Sequence, residues 1–392
     1  MSEPMGSGPL AGIRVIELGV WVAGPAAGGI MSDWGADVIK IEPESGDPQR
    51  KMFASVGVRA DIPVPPFEVD NRGKRSVILD LRQSEDLERL HGLLADADVF
   101  VSNMRGAALD RLGLGHEEVC ARHRHLVYGL ITGYGIDGPE ADRAGYDVGA
   151  FWARSGAAHT IVPTGQLPPG LLSGFGDHQT GMSMAAGIMA KLVERGRTGN
   201  GGFVTTSLLR NGMYGNSWDT AIHLRFQKRA PTPTRDANPS PLINSYMGAD
   251  QVGFWLICLE ADRHWPKLLA AIDRPDIGMD ERYGSARGRL EHCVELIAEL
   301  DAHFATAPAA HWTDRFDEHD VWWAPIQSIE QLLEDPQAQA GIVDMDARPG
   351  ERTPRFRSVA TPVDFGGHEL QLGVVPHLGE HTDEVLGSAD FN

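Results

Sequence analysis

The strongest constraint in this chain is a strand–turn–helix–strand signal compressed into about 30 residues near its start. Ile13 to Leu18 is an apolar, β-branched run, and Gly19 to Pro25 is a turn punctuated by glycine and proline. Ala26 to Trp34 is a small-residue stretch with helical character, stopped at Gly35, and Asp37 to Ile41 is apolar again. Two strands joined through a helix run parallel, and a parallel sheet needs helices on both faces. Further strands are predicted at Ser76 to Leu79, Val99 to Ser102 and Leu126 to Ile131, with helices at Ser84 to Leu94 and Ala107 to Leu112. The fold class is therefore α/β: a large Rossmann-like parallel-sheet domain.

A chain of 392 residues exceeds a single small core. Composition shifts near Gln227, and Lys228 to Pro241 is rich in Pro, Arg, Asn and Thr. We expect a large domain from 1–205 with 326–392, a linker over 206–235, and a smaller α+β domain over 236–325. A helix is predicted from about His178 to Arg195, with Met182, Ala185, Ala186, Met189 and Leu192 on one face. Beyond the linker, Val252 to Leu259 is a strand candidate, and Val343 to Val363 reads as irregular strands of the returning tail.

No run of about 18 apolar residues occurs, so no membrane span is expected, and Met1 to Leu10 lacks the pattern of a secretory signal. Cys120, Cys258 and Cys293 are odd in number and widely spaced, which excludes a disulfide framework and fits the reducing cytoplasm. The formal net charge of -19 argues against nucleic acid and anionic lipid as partners.

The first loop joins a strand to a helix, yet Gly19-Val20-Trp21-Val22-Ala23-Gly24-Pro25 is not GxGxxG. Bulky residues stand where a pyrophosphate needs close backbone approach. Walker A, HExxH and GxSxG patterns are absent. His116, His123 and His125 lack acidic or cysteine partners at ligand spacing and read as surface histidines, so no metal is expected. Two groups of residues stand out. Lys40, Arg72, Lys74, Arg75, Arg82, Arg105 and Arg111 lie at or just beyond predicted strand ends, where an open parallel sheet forms its ligand crevice. Cations clustered in an acidic chain suit a polyanion such as a phosphorylated adenosine; a solvated basic face suits the same pattern. The second group is Phe175-Gly176-Asp177-His178-Gln179-Thr180-Gly181. Asp177 sits between a glycine-rich loop and an apolar helix, where the helix dipole favours an ionised carboxylate able to act as a nucleophile. The flanking glycines leave room for a substrate carbonyl and backbone N–H donors for an oxyanion. The same aspartate also reads as a plain helix N-cap.

An ordered set of segments resembles the class III CoA-transferase (CaiB/BaiF) family. It runs from Pro9 to Leu18, through Trp34 to Pro43 with Gly46-Asp47-Pro48, Asn71 to Val77, Asp98 to Asn103, Leu109 to Leu114 and Thr132 to Gly135, to Gly379 to Leu386. The resemblance implies that Asp177, in its Gly-Asp-x-x-x-Gly segment, is the nucleophile. It implies CoA contacts at Val22, Ala23, Leu79, Arg82, Asn103, Arg111, Leu112 and Tyr134, with CoA as co-substrate and an acyl-CoA and a carboxylic acid as substrates. An interlocked homodimer is implied as well, with the large domain holding CoA.

Family members that are α-methylacyl-CoA racemases carry a Gly-His-Asp segment. The matching site is Gly145-Tyr146-Asp147, and tyrosine is a poor proton exchanger near neutrality. Glu260 stands near a supporting racemase acid. Racemase-like epimerisation and a non-catalytic CoA-binding subunit are the alternatives. Ile131 to Gly135, Ala150 to Gly156 and Ser207 to Gly215 look closest to transferases of 2-hydroxy acids, aryl-lactates or bile acids, and the glycine run of formyl-CoA transferases is not apparent after Pro241. Phe151, Trp152, Met213, Tyr214 and Trp218 fit an apolar pocket or plain core packing.

Overall fold

The structure, a computed structural model, describes residues 8–59, 62–348, 353–368, 370 and 372–387. Most of the N-terminal stretch examined for a secretory signal lies outside the described residues. Two compact units are present. The first comprises 1–159, 169–228 and 340 onward; the second comprises 160–168 and 229–339.

The first unit is built on a six-stranded sheet: β1 (Arg14–Leu18), β2 (Asp37–Glu42), β3 (Arg75–Ile78), β4 (Val99–Ser102), β5 (Val127–Thr132) and β6 (Gly202–Ser207). The order is β3-β2-β1-β4-β5-β6 and every pairing is parallel. Alternate residues feed two cores. Ile16, Ile39 and Phe100 point to one face, and Val15, Val38, Val99 and Val127 to the other. That alternation explains why the strands read as continuous apolar runs.

β6 was not expected. Its Phe203-Val204-Thr205-Thr206 run has strand chemistry, but it is only half-buried and follows directly on Gly201 and Gly202. The helix Ala23–Asp33 crosses from β1 to β2 and is buried along its whole length. It packs against the helix Phe175–Thr198, where a Cβ on Gly181 would lie 2.8 Å from Ala26 Cβ and 2.9 Å from the Ala23 carbonyl.

The stretch expected as a linker contains the helices Leu208–Gly215 and Ser217–Phe226 and belongs to the first unit through Lys228. Their Met213, Tyr214 and Trp218 carry the apolar character that a linker lacks. The chain returns to the first unit at 340 rather than 326 and forms an antiparallel hairpin, β10 (Ile342–Asp346) with β11 (Arg355–Val359). The second unit is α+β. Its antiparallel sheet of β7 (Ser245–Met247), β8 (Gly253–Leu256) and β9 (Trp323–Pro325) shares a core with Phe304, Trp312 and Phe316. Among the described residues, no helix is long and apolar enough to cross a membrane.

Candidate active site

The strand order reverses direction between β1 and β4, so the loops following these two strands open beside each other; in open parallel sheets this is where ligands sit. Asn103, just past β4, clamps the loop after β1. Its Oδ1 accepts from Val20 N at 2.9 Å and its Nδ2 donates to Val20 O at 2.7 Å. The loop turns through Trp21, whose φ of 61 is left-handed and whose amide donates to Asp47 Oδ1 at 3.1 Å.

Beneath it lies a buried ionic core. Lys40 Nζ meets Glu17 Oε1 at 2.8 Å, Asp47 Oδ2 at 3.0 Å and the Gly19 carbonyl at 2.9 Å. Lys74 Nζ meets Glu17 Oε2 at 2.6 Å, the Pro25 carbonyl at 2.8 Å and Asn71 Oδ1 at 3.1 Å. Burial would raise the Glu17 carboxyl, but Lys40 and Lys74 more than reverse this and hold it below its ordinary value. Burial would lower Lys40, yet Glu17, Asp47 and Glu42 raise it. Lys74 is lowered, first by burial and also by Lys40, against the pull of Glu17.

A cleft of about 420 Å³ opens at this switch point, lined in part by Val22, Ala23, Asn103, Arg105, Tyr146 and Asp177. The helix carrying Asp177 starts at Phe175, three residues earlier than expected, with Gly174 as N-cap at φ 75. Asp177 is thus the third residue of the first turn, which removes the N-cap reading. Among the described residues no hydrogen bond reaches its carboxylate. The expected ionisation by the helix dipole is outweighed. Burial pushes the Asp177 carboxyl up to about 7, Asp147 and Asp70 push the same way, and His178 pulls against them.

The neighbouring glycines serve packing rather than space for a substrate. A Cβ on Gly176 would lie 2.6 Å from Phe151 Cγ and 2.9 Å from Asp147 Cβ. Residues 179–181 donate within the helix. The Phe175 and His178 amides donate to Leu172 and Gly174 carbonyls. The first-turn amides left as oxyanion donors are those of Gly176 and Asp177.

The other expected contacts are dispersed. Leu79 is buried in the core at the end of β3, and Leu112 packs against the same core. Arg82 is exposed and binds Asp80 at 2.8 Å; Arg111 is exposed at the end of the helix Gly106–Arg111. Tyr134 stacks with the guanidinium groups of Arg143 and Arg154 at 5.8 and 5.5 Å.

The basic set is mostly structural. Lys40 and Lys74 form the ionic core. Arg72 binds Asp33 and the Val359 carbonyl at 2.9 Å, and Arg75 binds Asp37. Arg105 lines the cleft. His123 is buried rather than on the surface, stacked on His91. Glu260, in the second unit, is exposed and pairs with Arg263 at 2.7 Å. Phe151 is buried, Trp152 Nε1 donates to Pro169 O at 3.2 Å, and Tyr214 and Trp218 are each 82% exposed. No group of three His, Cys, Asp or Glu is arranged to hold a metal among the described residues.

Sequence reasoning missed Asp70, which lies 108 positions from His178 yet contacts it at 3.0 Å. No local signal marks it. Asp147 was visible only as part of the racemase comparison.

The family described as CoA-transferase family III matches residues 10–382. The chain is 32% identical over 385 residues to (R)-2-hydroxy-4-methylpentanoate CoA-transferase of Clostridioides difficile, covering 98% of this chain and 96% of that one. It is 34% identical over 383 residues to cinnamoyl-CoA:phenyllactate CoA-transferase of Clostridium sporogenes, covering 96% and 92%. A solved CaiB/BaiF family protein from Brucella suis superposes with a TM-score of 0.85 at 28% identity, covering 98% of this chain and all of that one.

Proposed function

The chain belongs to the family III CoA-transferases and uses CoA as co-substrate, and from that premise we propose that it transfers CoA through Asp177. The carrying observation is a carboxylate without a hydrogen-bond partner among the described residues, lining a cleft at the sheet's switch point. One Asp177 oxygen attacks the thioester carbonyl carbon of the donor. The C–S bond breaks, its electron pair leaves on sulfur as CoA thiolate, and a mixed anhydride remains. The thiolate attacks the Asp177 carbonyl carbon and expels the donor acid as its carboxylate, leaving an aspartyl-CoA thioester. The acceptor carboxylate attacks that thioester, CoA thiolate departs again, and the thiolate then takes the acceptor acyl group and restores the Asp177 carboxylate. Thioester energy is conserved throughout. The Gly176 and Asp177 amides supply oxyanion donors.

CoA contacts are proposed at Val22, Ala23 and Asn103 in the cleft and at Arg82, Arg111, Leu112 and Tyr134 beyond its lining. Leu79, being buried, would contribute through its backbone. The acid is proposed to be a 2-hydroxy or aryl-lactic acid, as the names of the two relatives suggest. The apolar and aromatic lining from Trp21, Val22, Tyr146 and Leu208 supports that choice. We place the enzyme in the cytoplasm, supported by three free cysteines, as an interlocked homodimer. The helix Ser217–Phe226, which has no buried residue, supports the dimer.

Asp177→Ala is expected to abolish transfer while the protein still binds CoA. Incubation of the parent with acyl-CoA and hydroxylamine is expected to yield a hydroxamate at Asp177. Transfer retained in Asp177→Ala removes this residue from the mechanism.

A further inference from the structure

The displacement sequence leaves unused the charged groups around Asp177. His178 is the next residue on the same helix. Its Nε2 lies 3.0 Å from Asp70 Oδ1, an acid on the helix Pro65–Asn71 that is 2% exposed. The other ring nitrogen turns toward Gly174: a Cβ there would lie 3.4 Å from His178 Nδ1. The hydrogen bond to Asp70 favours the doubly protonated imidazole against burial, and the Asp70 and Asp177 charges pull the same way. The second Asp70 oxygen is buried without a hydrogen-bond partner, so the acid depends on a cation nearby. His178 supplies it by direct contact and Lys74 at longer range.

Three titratable groups face Asp177. Asp147 stands at the start of the turn Val148–Ala153, Asp70 on its own helix, and His178 alongside. Both acids favour a proton on Asp177; the imidazole is the group that opposes them. Asp147 cannot withdraw, because it is packed against Gly176 and its Oδ1 accepts from Val148 N at 2.7 Å.

Resting on the reading of Asp177 as nucleophile, we propose that His178, held by Asp70, is a positioning residue whose charge keeps the Asp177 carboxylate ionised between two competing acids. The pair forms and breaks no bond to substrate. Its contribution is electrostatic, and it is largest where Asp177 would otherwise be protonated.

The test is the pH profile of kcat/KM between pH 5.5 and 9.5 for the parent, His178→Gln and His178→Lys, using an acyl-CoA and an acid that do not titrate in that range. An opposite charge at this range moves a carboxylate by about one pH unit at the weak end, as suits a half-exposed imidazole. His178→Gln is therefore expected to shift the acidic limb up by about one unit. The rate falls about ninefold at pH 6 and returns to parity by pH 9.5. His178→Lys, which keeps the charge, is expected to follow the parent's limb. The charge comparison between Gln and Lys holds even where both variants melt earlier than the parent. An acidic limb in His178→Gln that coincides with the parent's overturns the proposal. So does a His178→Lys limb displaced as far as that of Gln. Asp177→Ala run alongside separates the two readings: if it is inactive while the Gln limb stays in place, the pair alone fails; if it is active, the nucleophile fails and the pair with it.

Discussion

Replacing Gly28 by alanine tests the buried ionic core at a single atom. A Cβ at this position would lie 2.0 Å from Glu17 Oε2 and 3.1 Å from Lys74 Nζ. Neither partner is free to give way, since both side chains are fully buried and hold each other at 2.6 Å. The new methyl must separate Glu17 from Lys74. Breaking a buried ion pair costs about 3–5 kcal/mol, because a charge is left without compensation. Alanine returns about 1 kcal/mol over glycine inside a helix. The expected net loss is about 2–4 kcal/mol. Gly196, in the helix Phe175–Thr198 with nothing within 4 Å of its Cβ position, is the control and is expected to gain stability as alanine. A chain of two units need not unfold in one step. The reading is therefore hydrogen exchange at the β1 amides together with the urea transition that carries the sheet. If Gly28→Ala protects β1 as well as Gly196→Ala does, the ionic core does not hold the loop and this account of it is wrong.

Two further outcomes are expected. Burial, then His91, Arg122 and His125, bring His123 down to about 4, and burial also lowers His91. Both are neutral in the folded chain at pH 7, so their contribution is intact above about 6.5 and is lost as pH falls toward 4. A His123→Phe variant is expected to flatten acid destabilisation by about 1–2 kcal/mol in urea titrations at pH 7 and pH 5; an unchanged slope contradicts the pairing. Sedimentation at micromolar concentration is expected to give twice the 42.5 kDa chain mass. A monomer of full activity would remove the interlocked dimer.

The sheet was largely legible because strands such as β1 and β4 bury both faces, so Val15, Ile16, Val99 and Phe100 announce themselves as unbroken apolar runs. β6 was not, because a half-buried run that follows two glycines and carries Thr205 and Thr206 lacks that pattern. Among the cations, position along the chain misled. Lys40 lies within β2 and Lys74 just ahead of β3, and their charges turn inward to Glu17; whether a charge faces inward or outward depends on a partner far off in sequence. Asp177 stood out locally and through the family likeness. Its electrostatic setting did not, because Asp70 and Asp147 reach it only once the helices are packed.

Trp21 carries one further consequence. A bulky residue in left-handed backbone gives up on the order of 1 kcal/mol that glycine would keep. The loop holds this conformation anyway, with its amide tied to Asp47 and its ring edge-on to Tyr146 at 6.4 Å across the cleft. Stability alone would favour glycine here. What the indole supplies in return is an apolar wall to the switch-point cleft, a contour that a glycine corner would lack.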